Sequence, residues 1–266
     1  MPNPLLTLII PTHTRSHLLQ RTLDSINQQT ARESIEIIVV ADVSDAETNR
    51  ICQIMLTPND IYIRRSGLPG PSASRNLALK IARGCYIMFL DDDDTLDTQF
   101  MENLLQHSKI EPWAGPFYFN CNIVKESRPK SGPIPLAESF FNTAENLTIN
   151  IFVKNQIPIC CFVFPSALLK GLEFDTSMRA YEDWDFLLSV FKQKIPTHIP
   201  ITSSTVFQVD DTTTDRRGSS APAKDFNAVL DYLYVYRRHP SPNADIQLKR
   251  KLLLDSVGLT LPQSML

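Results

Sequence analysis

Short apolar runs and helical patterns take turns through the first hundred or so residues, and this alternation constrains the fold more than any other feature of the chain. Residues 5–10 read Leu-Leu-Thr-Leu-Ile-Ile and residues 35–41 read Ile-Glu-Ile-Ile-Val-Val-Ala; shorter runs follow at 61–64 and 85–90. Near-continuous hydrophobicity over so few residues predicts strands covered on both faces, as in a parallel sheet. Between the runs, residues 16–29 carry Leu19, Leu23 and Ile26 at helical spacing, and residues 45–56 set Ile51, Ile54 and Met55 on one face. Residues 72–83 carry Leu77 and Ile81 four apart, with Ser72 as the expected cap, and a further helix is expected over 97–107. The order β-α-β-α-β-α-β-α predicts an α/β fold, a Rossmann-like, mainly parallel sheet flanked by helices. Ligands of such sheets bind beyond the carboxyl ends of the strands. The polar residues to watch are therefore 11–15, 42–45, 65–75 and 91–94.

The second half is less regular, and many of the 19 prolines fall there, against only 8 glycines in the chain. Strands are expected over 117–124 and 158–164, and helices over 143–155 and 181–193, the last lined by Trp184, Leu187, Leu188 and Phe191. Residues 202–223 are polar and read as a long loop. Two closing helices are expected over 225–238 and 244–257. Tyr232, Tyr234 and Tyr236 alternate along the first of these, so they do not share one face and read as packing residues. Arg237, Arg238 and His239 suit a helix C-terminus on dipole grounds alone. The expected organisation is a first half over 1–110, a second half of the same domain over 111–222, and a helical extension over 223–266.

A formal net charge of −3 gives no basic field for nucleic acid. The N-terminus shows neither a basic n-region nor a small-residue cleavage site, and no apolar stretch is long enough to span a bilayer. The expected location is cytoplasmic, at most peripheral to the inner face of a membrane, and a homodimer is compatible with the sequence. The five cysteines have no zinc spacing. Adjacent Cys160 and Cys161 are expected on opposite faces of a strand, as reduced, buried thiols.

Asp91-Asp92-Asp93-Asp94, directly after the fourth apolar run, is the most informative segment. Four like charges repel one another, and a strand that delivers them into a sheet-end crevice needs a counter-charge. A hard divalent cation held by oxygen supplies one and also bridges to phosphate. A solvated turn capping the helix near Asp97 accounts for the aspartates equally well. A calcium loop fits the spacing of Asp91, Asp93, Thr95, Asp97 and Glu102, but Leu96 stands where that loop needs glycine.

Five segments in order then carry a resemblance: Leu-Ile-Ile-Pro-Thr-His-Thr-Arg (8–15), Glu-Ile-Ile-Val-Val-Ala-Asp-Val-Ser-Asp (36–45), Ser-Ala-Ser-Arg-Asn (72–76), Phe-Leu-Asp-Asp-Asp-Asp (89–94) and Tyr-Glu-Asp-Trp-Asp (181–185). Together they resemble glycosyltransferase family 2, over about residues 5–195. The resemblance implies the GT-A fold and inverting transfer of a sugar from a nucleotide-sugar donor, most often a UDP-sugar, to a carbohydrate, lipid-linked or other hydroxyl acceptor, with Mn2+ or Mg2+. It also implies roles. Pro11, Thr12 and Arg15 border the nucleotide base, Asp42 bonds the base, and Arg75 faces the nucleotide. Asp91 and Asp92 lie near ribose and donor sugar, Asp93 holds the metal, and Asp183 is the general base.

The chemistry agrees with these roles. Attack by an acceptor hydroxyl needs a carboxylate to take its proton, and the departing nucleoside diphosphate needs positive charge. Each residue has a plainer reading. Asp183 can serve the helix dipole, with Glu182 and Asp185 as rival bases; Asp42 can form a turn with Ser44; Arg75 can pair with a surface acid and Asn76 can be a simple polar helix residue. Arg216 and Arg217, in a polar segment, are candidates for a phosphate contact, or for a solvated loop. The family's two aspartates and glycine after the second strand are here Ala41, Asp42 and Val43. This departure keeps a catalytically degenerate sugar-nucleotide-binding protein in view. A sugar-nucleotide nucleotidyltransferase is disfavoured because residues 11–15 lack glycine, and a P-loop hydrolase has no matching loop.

Overall fold

The computed structural model describes residues 4–43, 45–110, 115–129, 131–209, 226–263 and 266. The first half follows the sequence pattern closely. Strands β1 (Leu6–Thr12) and β2 (Ile35–Ala41) are buried along their whole length, which is why they need no polar alternation. β3 (Ile61–Arg64) lies outside β2, and β4 (Tyr86–Phe89) lies on the other side of β1; all three pairings are parallel. Helix α1 (Ser16–Asn27) buries Leu18, Leu19, Leu23 and Ile26. Helix α2 (Ala46–Met55) is capped by Asp45, whose carboxylate accepts the Thr48 N–H at 2.8 Å. Helix α3 spans Pro71–Leu79. Its cap is Gly70, at φ 150°, with Pro71 opening the helix, so Ser72 is a buried first-turn residue and not the cap.

After β4 the sheet changes character. β5 (Thr95–Leu96) and helix α4 (Phe100–Ile110) lead to the long β6 (Phe117–Ser127) and its hairpin partner β7 (Ile134–Phe141). The short helix α5 (Thr143–Asn146) precedes β8 (Phe162–Pro165), helix α6 (Glu182–Phe191) and β9 (Thr197–Val209). Helices α7 (Phe226–Arg238) and α8 (Ala244–Ser256) close the described chain. Among the described residues, nine strands form one sheet in the order β3-β2-β1-β4-β8-β6-β9-β5, with β7 added to β6. β8 runs antiparallel to both β4 and β6, whereas β9 is parallel to β6.

Several expectations for the second half need correction. The helix expected over 143–155 is only α5 followed by a 3-10 turn, Ile149–Phe152. Side chains from other elements hold this irregular segment: Trp184 Nε1 donates to the Ile151 oxygen, and the Tyr232 and Tyr236 hydroxyls to that of Val153. Residues 202–209, expected as loop, belong to β9; the rest of that expectation, with Arg216 and Arg217, lies outside the described residues. Cys160 and Cys161 sit in a 3-10 turn, Ile159–Cys161, before β8 rather than on two faces of a strand. Tyr232 and Tyr236 do share a face, packed on Trp184, while Tyr234 is exposed. His239 and Arg238 do more than face a helix end, because both reach Asp185.

The two parts of the sheet share one apolar core. At its centre Phe89 of β4 meets Phe174 and Phe186 edge-on at 5.0 and 5.5 Å, and those two rings stack at 4.0 Å. Each such ring contributes about 1.5–3 kcal/mol through burial. No helix among the described residues is long and apolar enough to cross a membrane.

Candidate active site

The acidic run leaves β4 at the carboxyl edge of the parallel strands and alternates in exposure. The Asp92 side chain is fully buried and that of Asp91 is 42% exposed. Asp92 is held by the loop after β1: Thr12 Oγ1 donates to it at 2.6 Å, the His13 N–H at 3.4 Å, and the Arg15 guanidinium pairs with its other oxygen. Burial alone would lower the Arg15 pKa; Asp92, Asp93 and Asp91 outweigh it and raise that pKa above its usual value. Asp94 is buried against Phe207, whose N–H donates at 3.0 Å. Burial first, then Asp93 and Asp91, pushes its carboxyl well above the ordinary range, against the pull of the Phe207 N–H and Arg21.

Asp93 is clamped. Its Oδ2 accepts from Arg15 and from Arg128, each at 3.0 Å, and its backbone oxygen accepts from Arg21 at 2.7 Å. Arg21 and Arg128 meet again on the buried carboxylate of Glu126, at 2.8 and 2.6 Å. None of Arg21, Glu126 and Arg128 stood out in the sequence. The one available signal was the spacing of Glu126 and Arg128, which puts both side chains on the same side of an extended segment.

Asp42 is equally enclosed. His13 Nδ1 lies 2.6 Å from one carboxylate oxygen, and the Gly70 N–H donates to the other at 2.7 Å. It thus ties the loop after β1 to the turn that opens α3. That turn is braced by Arg65, which donates to the Gly70 oxygen and to Ser74 Oγ, both at 2.8 Å.

Arg75 joins the two halves of the molecule. Its guanidinium, 4% exposed, donates to Asp91 at 2.7 Å and to Glu182 at 3.0 Å, and lies over the Phe174 ring at 5.2 Å. Asn76 locks the same junction, donating to the Phe174 oxygen and accepting its N–H, both at 2.8 Å. Arg75, Asp91, Asp94, Cys160, Glu182, Asp183 and Val206 line one cleft of about 320 Å³. Here Asp91 from the acidic run and Asp183 from the start of α6 face a common space, 92 positions apart in the chain. The pKa of Asp183 is raised to about 6, by burial first and then by the Glu182 charge, against the pull of Arg75. Asp185 points away, buried and bonded to His239 at 2.8 Å, which removes it from this cleft.

Among the described residues, the cleft offers the carboxyl groups of Asp91, Asp94, Glu182 and Asp183 and the guanidinium of Arg75, an excess of hard oxygen suited to a divalent cation. Among the described residues, no three His, Cys, Asp or Glu side chains form a closed metal cage. The donor set fits a cation held by one or two carboxylates and completed by phosphate oxygens. Asp93, the expected metal residue, is 19% exposed and engaged by Arg15 and Arg128, whereas Asp91 is 42% exposed and engaged by Arg75.

A curled, mostly parallel sheet flanked by helices, with the cleft at its carboxyl edge, matches the GT-A fold, and the solved structures it resembles agree. Residues 7–171 match the model of glycosyl transferase family 2, so the chain belongs to that family. It is 29% identical over 198 residues to the uncharacterized glycosyltransferase MJ1057 of Methanocaldococcus jannaschii, covering 70% of this chain and 64% of that one. It is 29% identical over 197 residues to the minor teichoic acid biosynthesis protein GgaB of Bacillus subtilis, covering 71% of this chain and 21% of that protein. The chain therefore spans less than two thirds of the length of these two relatives. A GalNAc(5)-diNAcBac-PP-undecaprenol beta-1,3-glucosyltransferase of Campylobacter jejuni is 34% identical over 126 residues, 46% of this chain and 40% of that one. In fold, the chain resembles S. aureus TarS 1-349 in complex with UDP-GlcNAc, with a TM-score of 0.62 at 18% identity over 94% of this chain and 71% of that one. It also resembles the mannosyltransferase PcManGT of Pyrobaculum calidifontis in complex with GDP-Man and Mn2+, with a TM-score of 0.53 at 17% identity over 99% and 78%.

Proposed function

We propose that the protein is an inverting glycosyltransferase that moves a sugar from a nucleoside-diphosphate donor, a UDP-sugar first, to an acceptor hydroxyl. One observation carries this reading: Asp91 and Asp183 line the same cleft, with Arg75 bonded there to Asp91 and Glu182 and the Asp183 carboxyl raised to about 6. A carboxylate with that pKa is ionised at neutral pH yet basic enough to take a hydroxyl proton as the anomeric carbon is attacked. A single base on one side of the sugar implies one in-line displacement, hence inversion.

Asp91 with Asp93 would hold Mn2+ or Mg2+ beside the donor phosphates, and the cation would offset the charge growing on the departing diphosphate. Arg75 holds Asp91 and Glu182 in place and adds positive charge at the phosphate side. Pro11, Thr12, Arg15 and Asp42 form the wall for the nucleotide base, while Asp92, fixed by Thr12 and Arg15, keeps the acidic run in register. Arg216 and Arg217 remain candidates for a phosphate contact. Residues 1–110 form the donor half, 111–222 the acceptor half and 223–266 the extension. The acceptor is a hydroxyl-bearing sugar of the lipid-linked kind named for the Campylobacter relative, reached at the surface of a membrane.

The test is a panel of nucleotide sugars with Mn2+ and Mg2+, read by thermal shift and by release of nucleoside diphosphate. Binding to the native state raises the melting temperature. The donor that binds should be turned over with inversion at the anomeric carbon. Asp183→Asn should keep donor binding and lose about 10²- to 10⁴-fold in turnover. Turnover that survives in that variant removes the base assignment.

A further inference from the structure

We infer that Asp231, on helix α7, is a positioning residue for the base Asp183; the inference rests on the reading of Asp183 given above. One carboxylate oxygen of Asp231 accepts the backbone N–H of Arg179 at 2.8 Å and that of Ala180 at 3.0 Å. These amides belong to the turn immediately before α6. The next residue, Tyr181, is the residue preceding the helix and has φ 62°, a left-handed conformation that a bulky side chain rarely adopts. Such a conformation persists only where its surroundings hold it. Tyr181 makes no side-chain cap to α6, and Asp231 supplies the missing restraint from another helix.

The rest of α7 secures the same segment. Tyr232 meets the Tyr181 ring edge-on at 4.9 Å and the Trp184 ring at 4.8 Å. Arg238 reaches Asp175 at 3.1 Å and Asp185 at 3.0 Å, and His239, just past the helix, bonds Asp185. These contacts bracket Asp183: Asp231 acts before it and His239 two residues after it. Asp231 differs from the others in gripping backbone, and so in fixing where the first turn of α6 begins. A base must sit within hydrogen-bond reach of its proton, so a shift of the turn by about 1 Å costs on the order of 100-fold in rate. Among the described residues, the side-chain hydrogen bonds and ion pairs of α7 run to Arg179, Ala180, Val153, Asp175 and Asp185.

The experiment compares Asp231→Ala and Asp231→Asn with the wild-type chain, using the donor selected by the panel and Asp183→Asn as control. The readouts are kcat for nucleoside-diphosphate release, donor affinity by calorimetry, and hydrogen exchange at Arg179 and Ala180. The asparagine carbonyl accepts the same two N–H bonds, so Asp231→Asn should stay within about threefold of wild type, whereas Asp231→Ala should lose on the order of 100-fold in kcat with donor affinity unchanged. The two amides should lose protection in the alanine variant only. Wild-type kcat in Asp231→Ala, or equal losses in both variants, overturns the inference. Full turnover in Asp183→Asn overturns the base assignment instead, so the two failures are distinguishable.

Discussion

The parallel strands β1 to β4 and the segment from β6 to α7 are stabilised by different means. In the first region strands β1, β2 and β4 are buried and mostly apolar, broken by the bonded pair Thr7 and Glu36, and the acidic run with its partners lies at the carboxyl edge. In the second, buried charges and aromatic rings tie irregular backbone to the first region: Arg128 to Asp93, Glu126 to Arg21, Phe174 to Phe89 and Asn76, Glu182 to Arg75. The difference teaches that the proposed donor side is held by burial of its strands. The segment that carries the proposed base is held by contacts with the edge of that sheet.

Substitutions can break this contrast or sharpen it. The largest effect is expected from Arg128→Ala, which leaves Asp93 and buried Glu126 with fewer cationic partners. It should destabilise the protein by about 3 kcal/mol in denaturant melts. A loss as small as that of an ordinary surface change would mean that the charge network is not what fastens the second region. Next comes Gly84→Ala in the first region. A Cβ there would stand 2.6 Å from the Thr7 nitrogen and 2.7 Å from the Tyr86 oxygen, both backbone atoms that cannot swing away. A cost of about 1–3 kcal/mol is expected, with the site chemistry intact.

The smallest effect has the opposite sign. Asp183 has a folded pKa of about 6, raised from 3.8, so its contribution to stability is fully present below pH 3.8 and is lost as pH rises through 6. Asp183→Asn should therefore raise the neutral-pH stability by on the order of 1 kcal/mol, discounted because water still reaches the carboxyl. The gain should vanish near pH 4. Thermal melts at the two pH values would check it.

The same contrast explains what could be read from the sequence. The first-half strands and helices were legible because burial on both faces writes itself as composition. β9 was not, because Thr202, Ser203, Ser204 and Thr205 look like loop until β6 and β5 supply their partners. β7 was missed for a related reason: it is a largely exposed strand interrupted by Pro135 and paired with β6. At the site, Asp91, Arg75 and Asp183 were legible as motif residues, and the structure brings them to one cleft. The arginine clamp on Asp93 and the enclosure of Asp42 were not, because residues distant in the chain, Arg128 and Gly70 among them, create both. A motif indicates which residues matter. It does not indicate which of their oxygens another part of the chain already occupies.

The most direct test of the shared cleft is the pH dependence of kcat for nucleoside-diphosphate release, in the wild-type chain and in Glu182→Gln. The Glu182 charge helps to raise the Asp183 carboxyl, so removing it lowers that pKa. The account predicts an acid limb near pH 6 in the wild type and its displacement to lower pH in Glu182→Gln. A limb that stays in place, or a rate flat from pH 8 to pH 4.5, would contradict it.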